Sequence, residues 1–136
     1  MKKIKVLAGG RFNILHEGHI YFLEKAKSLG DYLIVVIAND KTVLRNKKPL
    51  LFSQEIRKKR VEKLYFVDKV IIGDPKNILK TVEKVRPDII ALGYDDKIKE
   101  SELRKKLKER GLNCKIVRVP ELVGFSTRKI LKKIKI

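Results

Sequence analysis

Several residue types that mark common protein classes are scarce in this chain. It has one cysteine, Cys114, so it cannot form an internal disulfide or a zinc site built from several cysteines. We expect Cys114 to be a small buried residue on a strand, with a redox-sensitive thiol as the alternative. No segment approaches the roughly 18 consecutive apolar residues of a membrane-spanning helix. The opening MKKIKVLAGG lacks a long apolar stretch and a small-residue cleavage site, so we expect no signal peptide and a cytoplasmic location.

Acidic residues are also scarce. The chain has 16 of them against 34 lysines and arginines, which gives a net charge of +18. Such a charge attracts phosphates, in nucleotides or in nucleic acids. However, the lysines are spread along the whole chain and alternate with Ile, Val and Glu, as in KTVEKV and ESELRKKLKERG. That spacing is typical of solvated helix faces, and the Lys, Glu and Ile enrichment also fits a thermophile's surface. We therefore do not expect nucleic acid as the partner, but keep a nucleic-acid binder as the alternative.

Apolar runs recur along the chain at the spacing of a parallel sheet. With 136 residues, 43% of them hydrophobic, the sequence predicts one domain over residues 1–136 with a real core. Short apolar runs without polar alternation are typical of parallel strands buried on both faces. Five segments qualify: IKVLAGG (4–10), LIVVIA within 31–40, KVIIG (69–73), DIIAL (88–92) and NCKIVRVP (113–120).

Helical patterns separate these strands. We predict helices at 18–29, after the capping residue Ser53, from Pro75 to about 85, at about 99–110, and after Ser126 and Thr127. Residues 41–52, polar and basic with one proline, are predicted to be a loop. The alternation predicts an α/β fold, a Rossmann-like doubly wound five-stranded parallel sheet. Ligands of such folds lie beyond the carboxyl ends of the strands, and the chemistry should be sought there.

The only two histidines, His16 and His19, lie in the stretch HEGH after the first strand. A zinc site of the H-E-x-x-H kind needs a spacing of four and a third ligand, and neither is present, so we predict no metal site in the protein. The spacing of the glycines matches neither the G-x-G-x-x-G fingerprint of dinucleotide-binding proteins nor the G-K-[ST] ending of a P-loop. A phosphate site fits better, because Gly9 and Gly10 allow close approach and a helix N-terminus favours anions. The two histidines, roughly 5–6 Å apart, could then contact neighbouring phosphate oxygens. The alternative is two polar residues at an ordinary helix start.

GGRFNILHEGH resembles the G-T-F-D-x-x-H-x-G-H signature of the HxGH nucleotidyltransferases, through Phe12, His16, Gly18 and His19. Three further segments, in the family's order, are similar to its helix with an arginine, its fourth-strand segment and its I-S-S/T-T segment. They are SQEIRKKRVEKLYFVDKVIIGD, PDIIALGYDDK and GFSTRKI. Within the superfamily the chain is most similar to the archaeal FAD synthetases, with the glycerol-3-phosphate cytidylyltransferases next.

This resemblance implies nucleotidyl transfer without a covalent enzyme intermediate, in which an acceptor phosphate attacks the α-phosphate of ATP or CTP and pyrophosphate leaves. It implies His16, His19, Lys48 and Arg57 as catalytic residues, with Arg45 and Lys47 beside Lys48 in the basic loop. The β- and γ-phosphates would be held at the last helix, and Gly93–Asp95 would border the base. The implied nucleotide-binding residues are Gly10, Arg11, Phe12, Asn13, His16, His19, Gly93, Tyr94, Asp95, Phe125, Ser126, Thr127 and Arg128.

The implied substrates are ATP and FMN, giving FAD, with Mg²⁺ bound to the triphosphate, in a homodimer. The chain differs from the family's usual signature at two positions. Arg11 replaces the usual Thr, as in the G-R-F-Q-P of nicotinamide mononucleotide adenylyltransferases, and Asn13 replaces the usual Asp. A cytidylyltransferase acting on CTP and glycerol 3-phosphate is the alternative. It is weakened because Glu121 and Leu122 stand where that branch usually has an arginine. A nucleotide-binding regulator without turnover also stays open.

Overall fold

A computed structural model describes residues 3–121 of the chain. Its strands are β1 (Lys5–Gly10), β2 (Tyr32–Ile37), β3 (Lys69–Ile72), β4 (Ile89–Leu92) and β5 (Lys115–Arg118). They form one sheet in the order β3-β2-β1-β4-β5, and every neighbouring pair is parallel. The predicted five-stranded parallel sheet is therefore confirmed. The predicted last helix, and with it Phe125, Ser126, Thr127 and Arg128, lies outside the described residues.

The helices between the strands are α1 (Glu17–Ser28), α2 (Asp40–Arg45), α3 (Gln54–Glu62), α4 (Ile78–Val85) and α5 (Glu100–Glu109). The cap predicted for α3 is confirmed, because the Ser53 side chain accepts a hydrogen bond from the Ile56 N–H. None of the helices within residues 3–121 is long and apolar enough to cross a membrane.

Two local predictions are wrong in part. The predicted loop at 41–52 is confirmed over residues 46–52, but residues 41–45 belong to α2, because the Asn39 side chain accepts a hydrogen bond from the Lys41 N–H and because Val43 is buried. A six-residue helix with a single buried anchor has too little apolar periodicity to be read from sequence. The fourth helix does not open at Pro75. It begins at Ile78, since Asn77 caps it and Asp74 accepts hydrogen bonds from two backbone N–H groups in the preceding turn.

The core has two layers, one on each face of the sheet. Leu23 and Ala26 of α1 and Val61 of α3 pack against one face, together with the strand residues Val6, Ala8, Leu33, Val35, Ile37, Val70 and Ala91. Leu79 and Val82 of α4 and Leu103 and Leu107 of α5 pack against the other, on Leu7, Ile34, Val36, Ile90, Leu92 and Ile116. Because helices cover both faces, the strands are apolar throughout, as the sequence runs indicated.

Cys114 lies just before β5 and is half-buried. Its thiol donates to the Pro87 carbonyl oxygen at 3.2 Å, and burial raises the pKa of the thiol, with the Asp88 carboxylate acting in the same direction. A raised pKa keeps the thiol protonated and unreactive near neutral pH. The position therefore favours the packing role over the redox role.

The strand order also fixes where a ligand can enter. The chain proceeds from β1 to β2 and β3 on one side, then returns to β4 and β5 on the other. The order therefore reverses between β1 and β4, and the loops after these two strands diverge to opposite faces. A crevice at the carboxyl end of such a switch point is the general ligand site of open α/β sheets.

Candidate active site

A cleft of about 540 Å³ opens at this switch point, and we call it the histidine cleft. Its lining comes from the loop and helix after β1, the loop after β4 and the segment after β5. It includes nine of the residues implied by the resemblance: Gly10, Arg11, Phe12, Asn13, His16, His19, Gly93, Tyr94 and Asp95. The cleft also contains residues that sequence reasoning had not singled out, among them Tyr21, Phe22 and Asp96. Fold topology thus brings together segments as far apart in the chain as Gly9 and Glu121.

The two histidines form a stacked pair at the N-terminus of α1. Their ring centroids are 3.9 Å apart and their planes differ by 20°. His16 is the N-cap of the helix, since its Nδ1 accepts the Gly18 N–H at 3.0 Å. The helix start is therefore confirmed, and the role of HEGH as a ligand site stays a prediction. The cap also fixes a tautomer, because Nδ1 acts as acceptor and leaves Nε2 as the donor of neutral His16.

Gly18 makes this cap possible. A Cβ at position 18 would lie 2.9 Å from Cε1 and 3.1 Å from Nδ1 of His16, closer than side chains normally approach. The glycine of HEGH therefore lets the His16 ring fold back over the first turn of its own helix. Glycine is therefore needed at position 18 to make room for the His16 ring. The sequence had suggested a different reason, which was to leave room for a ligand.

Both imidazoles are neutral at pH 7. Burial lowers the pKa of His16, against the Asp95 carboxylate, which raises it. Burial also lowers the pKa of His19 to about 4, helped by His16 and Arg11, while the Ile14 backbone and Asp95 oppose the shift. Neutral rings can approach each other at stacking distance without charge repulsion. A neutral imidazole also carries one N–H, and that of His16, on Nε2, could donate to an anion at the helix N-terminus.

The loop between β1 and α1 supports the pair from one side. Phe12 is buried, adopts a positive φ of 51°, and meets His19 edge-to-face with centroids 5.3 Å apart. Asn13 donates its side-chain amide to the Pro49 carbonyl at 3.1 Å, and its backbone oxygen accepts from Arg60. The Asn13 Oδ1 atom is buried and has no hydrogen-bond partner among the described residues, as is also true of His19 Nδ1. Both residues belong to the cleft lining, but these two atoms are themselves buried beneath its surface.

Arg57 does not reach the cleft. Its side chain is fully buried and all three guanidinium nitrogens are engaged, by the carbonyls of Phe52 and Arg11 and by Asp40 Oδ1 at 2.7 Å. This arrangement anchors the backbone of Arg11, which does line the cleft, to α2 and α3. These contacts favour a role for Arg57 in positioning Arg11, and a direct catalytic role stays a prediction.

The three basic residues at positions 45–48 are exposed and do not line the histidine cleft; they are Arg45, Lys47 and Lys48. Arg45 donates instead to the Pro75 carbonyl at 2.7 Å, which ties α2 to the turn before α4. Pro49 borders the cleft, so the basic segment lies at its edge. A contact from Lys48 to a bound phosphate stays a prediction that depends on how a ligand extends beyond the edge.

Arg118 was missed by sequence reasoning. From β5 its guanidinium donates to the carbonyls of Gly93, Asp96 and Ile98 and pairs with Glu100 at 2.7 Å. These bonds fix the loop after β4, which carries Gly93, Tyr94 and Asp95 into the cleft. The available signal was a lone arginine inside the otherwise apolar run IVRV (116–119). A charged residue in a buried strand needs partners, and the nearest are the neighbouring strand's terminal carbonyls.

The arrangement is suited to holding and polarising an anionic group rather than to attacking one. Neutral imidazoles, the N-terminus of α1 and Arg11 lie around the cleft, and groups of this kind can stabilise charge that develops on phosphoryl oxygens. Within residues 3–121 no three His, Cys, Asp or Glu side chains lie close enough to hold a metal ion. The cleft carboxylates Asp95, Asp96 and Glu121 are not arranged as a cage. A divalent ion at this site would take most of its ligands from phosphates.

Comparison with known proteins agrees with this chemistry. The cytidylyltransferase-like family model matches residues 7–133. The FAD synthase of Picrophilus torridus is 50% identical over 121 residues, covering 89% of this chain and 87% of the relative. The FAD synthase of Aciduliprofundum boonei is 46% identical over 134 residues, covering 96% and 90%.

Solved structures give the same fold. A lipopolysaccharide core biosynthesis protein from Thermoplasma volcanium has a TM-score of 0.87 and 44% identity, covering 89% of this chain and 99% of its own. An Archaeoglobus fulgidus protein of unknown function has a TM-score of 0.69 and 21% identity, over 90% and 94% of the two chains, and supports the fold alone. The sheet order, the stacked HEGH histidines at the switch point and the match over nearly the whole chain lead to one conclusion: the protein belongs to the cytidylyltransferase-like family of nucleotidyltransferases.

Proposed function

We propose that this protein is an adenylyltransferase that makes FAD from FMN and ATP. The observation that carries the proposal is the neutral, stacked pair of His16 and His19 at the N-terminus of α1, facing the histidine cleft. The choice of FMN and ATP rests on the relatives named FAD synthase, which share 42–50% of their residues with most of this chain.

In the proposed reaction a phosphate oxygen of FMN attacks the α-phosphorus of ATP. A new P–O–P bond joins the two groups, the bond between the α-phosphorus and the bridging oxygen breaks, and pyrophosphate leaves. The protein contributes positioning and charge stabilisation, because no side chain has to become covalently attached. His16, through its free Nε2–H, and His19 would donate to phosphoryl oxygens whose charge grows in the transition state.

The residues of the cleft divide naturally between the two ends of the nucleotide. Gly93, Tyr94 and Asp95, fixed by Arg118, would border the base, and Arg11 would meet a phosphate with a two-pronged donor. We propose Mg²⁺ as the divalent ion that accompanies the triphosphate and neutralises part of its charge. It would take its ligands mainly from the phosphates and water, and the protein carboxylates in the cleft lining are Asp95, Asp96 and Glu121.

A sugar phosphate is a second candidate for the acceptor, and a similar solved structure supports it. The solved structure that is 44% identical to this chain belongs to a lipopolysaccharide core biosynthesis protein, which points to a sugar phosphate as the acceptor. A cytidylyltransferase acting on glycerol 3-phosphate is the related reaction with another base. A homodimer, a cytoplasmic location and one catalytic domain over residues 1–136 remain part of the proposal and await direct measurement.

Pyrophosphate release tests the proposal directly. Purified protein with MgCl₂ would receive ATP or CTP, each with FMN, glycerol 3-phosphate, nicotinamide mononucleotide or a sugar phosphate. We expect turnover with ATP and FMN and formation of FAD. Turnover only with another pair would replace the proposed substrates, and nucleotide binding without turnover of any pair would favour the regulator.

The histidines provide a sharper test of the site. His16→Asn removes the imidazole but keeps a good helix cap, so the helix should persist while kcat falls by about 10²–10³, the scale for losing one transition-state donor. His16→Ala should lose the cap as well, and about 1 kcal/mol of stability with it. Wild-type kcat in His16→Asn, with the fold intact by circular dichroism, would remove His16 from the mechanism.

A further inference from the structure

Two arginines of α3 reach the same loop, the one between β1 and α1. Arg57 donates to the Arg11 carbonyl oxygen at 2.8 Å. Arg60 donates to the carbonyl oxygen of Asn13 at 3.1 Å. The two arginines are three positions apart in the helix, so they project from one face of it. Their acceptors belong to the residues directly before and after Phe12, and we call these two hydrogen bonds the arginine clamp.

Phe12, between the two clamped residues, has a backbone conformation that needs support. Its φ is 51°, in the left-handed region that a bulky residue rarely adopts. Such a conformation persists only where the surrounding structure fixes it from several sides, and it is most common at functional sites. The Phe12 side chain is buried over the end of β1, since a Cβ at Gly10 would lie 3.0 Å from its ring. The arginine clamp adds the fixed points on the backbone.

The clamped loop in turn contacts His19. The Phe12 ring meets the His19 imidazole edge-to-face, with centroids 5.3 Å apart. The Ile14 backbone acts on the same imidazole, because burial lowers the pKa of His19 and this backbone opposes the shift. Asn13, whose carbonyl Arg60 holds, is the residue between these two contacts. A change at Arg60 should therefore reach His19 through the loop.

Arg60 is itself held by the segment that follows α2. Its guanidinium carbon lies 3.9 Å from the centroid of the Phe52 ring, within the range of cation–π contacts. The Asn13 side chain donates to the Pro49 carbonyl of the same segment at 3.1 Å. Arg60, the loop after β1 and this segment therefore support one another. A lysine at position 60 would keep the charge but not the flat guanidinium that stacks on the ring and directs an N–H at the carbonyl.

We infer that Arg60 is a positioning residue for the reaction, which holds the loop from Phe12 to Ile14 so that the His19 imidazole keeps its place beside the reacting phosphates. The inference rests on the proposed function, which supplies the phosphates. Arg60 does not line the histidine cleft, so its effect on the reaction has to pass through the loop. It is half-buried and has a single hydrogen bond within residues 3–121, so it can be replaced with less harm to the fold than the fully buried Arg57.

Arg60→Met tests the inference, with Lys59→Met as the matched control. Both variants remove one positive charge from neighbouring positions of α3. Lys59 is exposed, does not line the histidine cleft and has no hydrogen bond or ion pair with any residue of 3–121. The measurements are kcat from pyrophosphate release and the pKa of His19 from an NMR titration of the ligand-free protein, with circular dichroism as the check on folding. The chain has only two histidines, so His16→Asn assigns their signals.

We expect kcat of Arg60→Met to fall about tenfold, less than the about 10²-fold that follows a displacement of about 1 Å, because Arg57 still holds one end of the loop. The pKa of His19, about 4 with the loop in place, should rise above about 4.5 as water reaches the ring. Lys59→Met should change neither quantity. A wild-type kcat or a wild-type His19 pKa in folded Arg60→Met would overturn the inference, as would equal effects of Lys59→Met.

A milder variant covers the case in which Arg60→Met does not fold. Arg60→Lys keeps the charge and loses the stacked guanidinium, so kcat should fall by at least about threefold and the pKa of His19 should move in the same direction. Wild-type values of both in Arg60→Lys would then overturn the inference.

The histidine titration also separates this inference from the proposed function, because it needs no substrate. If the wild-type protein converts no substrate pair, and Arg60→Met but not Lys59→Met raises the pKa of His19, the proposed reaction fails and the hold of Arg60 on His19 stands. If FMN is converted, and Arg60→Met equals Lys59→Met in both measurements, the reaction stands and the positioning role fails.

Discussion

Gly18→Ala should separate catalysis from stability, because its effect on His16 can be worked out from the structure. The added Cβ would lie 2.9 Å from His16 Cε1. Since carbon atoms normally rest about 3.5–4.0 Å apart, the ring has to move by roughly 0.6–1 Å or rotate away. The ring is the far end of a side chain and can move without deforming the backbone. The Nδ1 bond to the N–H of residue 18, now 3.0 Å long, would then be lost.

The effects on stability nearly cancel. Loss of a helix cap costs about 1 kcal/mol, and replacing glycine by alanine inside a helix gains up to about 1 kcal/mol. The free energy of unfolding should therefore change by less than about 1 kcal/mol in urea denaturation. Catalysis has no such compensation, because a group displaced by about 1 Å from its productive position can lose about 10²-fold in rate.

The assay is the initial rate of pyrophosphate release in a double-mutant cycle of Gly18→Ala and His16→Asn. We expect kcat of Gly18→Ala to fall about 10²-fold in the wild-type background and less than about threefold when His16 is already replaced. A variant with wild-type kcat would refute the reasoning. Equal losses in both backgrounds would show that the methyl group acts on the ligand or on the helix terminus rather than through His16.

Three further predictions concern the surrounding residues. Arg118→Met should release the loop after β4, and it should raise the KM for ATP by about tenfold with a smaller change in kcat. An unchanged KM for ATP would contradict the role of Arg118 in holding this loop. Arg57→Met should lower the free energy of unfolding by about 2–4 kcal/mol, because Asp40 and two carbonyls lose their partner; a normal urea midpoint with abolished activity would instead favour direct catalysis. His19, whose pKa is about 4 in the folded protein against about 6.5 when unfolded, contributes stability that is complete above pH 6.5 and declines as pH falls toward 4. Allowing for solvent around the partly exposed ring, His19→Gln should reduce the loss of unfolding free energy between pH 7 and 5 by about 1 kcal/mol, and an identical pH dependence would contradict the lowered pKa.

The periodicity of the chain was enough to predict its architecture. Apolar runs such as LIVVIA can be satisfied only where both faces of a strand are covered, so the parallel sheet with helices on both sides followed from local pattern. Ser53 was identified as a cap because capping is a local hydrogen bond between neighbours in sequence. The short helix α2 could not be predicted, because its stability depends on Val43 reaching a core that local pattern does not describe.

For the site, the sequence by itself determined which residue types meet, and the tertiary structure decided what each one does. HEGH after the first strand was sufficient to place two histidines at a helix N-terminus, because strand, glycine and helix signals are adjacent in the chain. Only the fold decided that Arg57 supports Arg11 from a buried position and that Arg118 holds the loop after β4. These roles depend on hydrogen bonds between residues up to 46 positions apart, and such partners are set by the order in which strands lie in the sheet rather than by spacing along the chain.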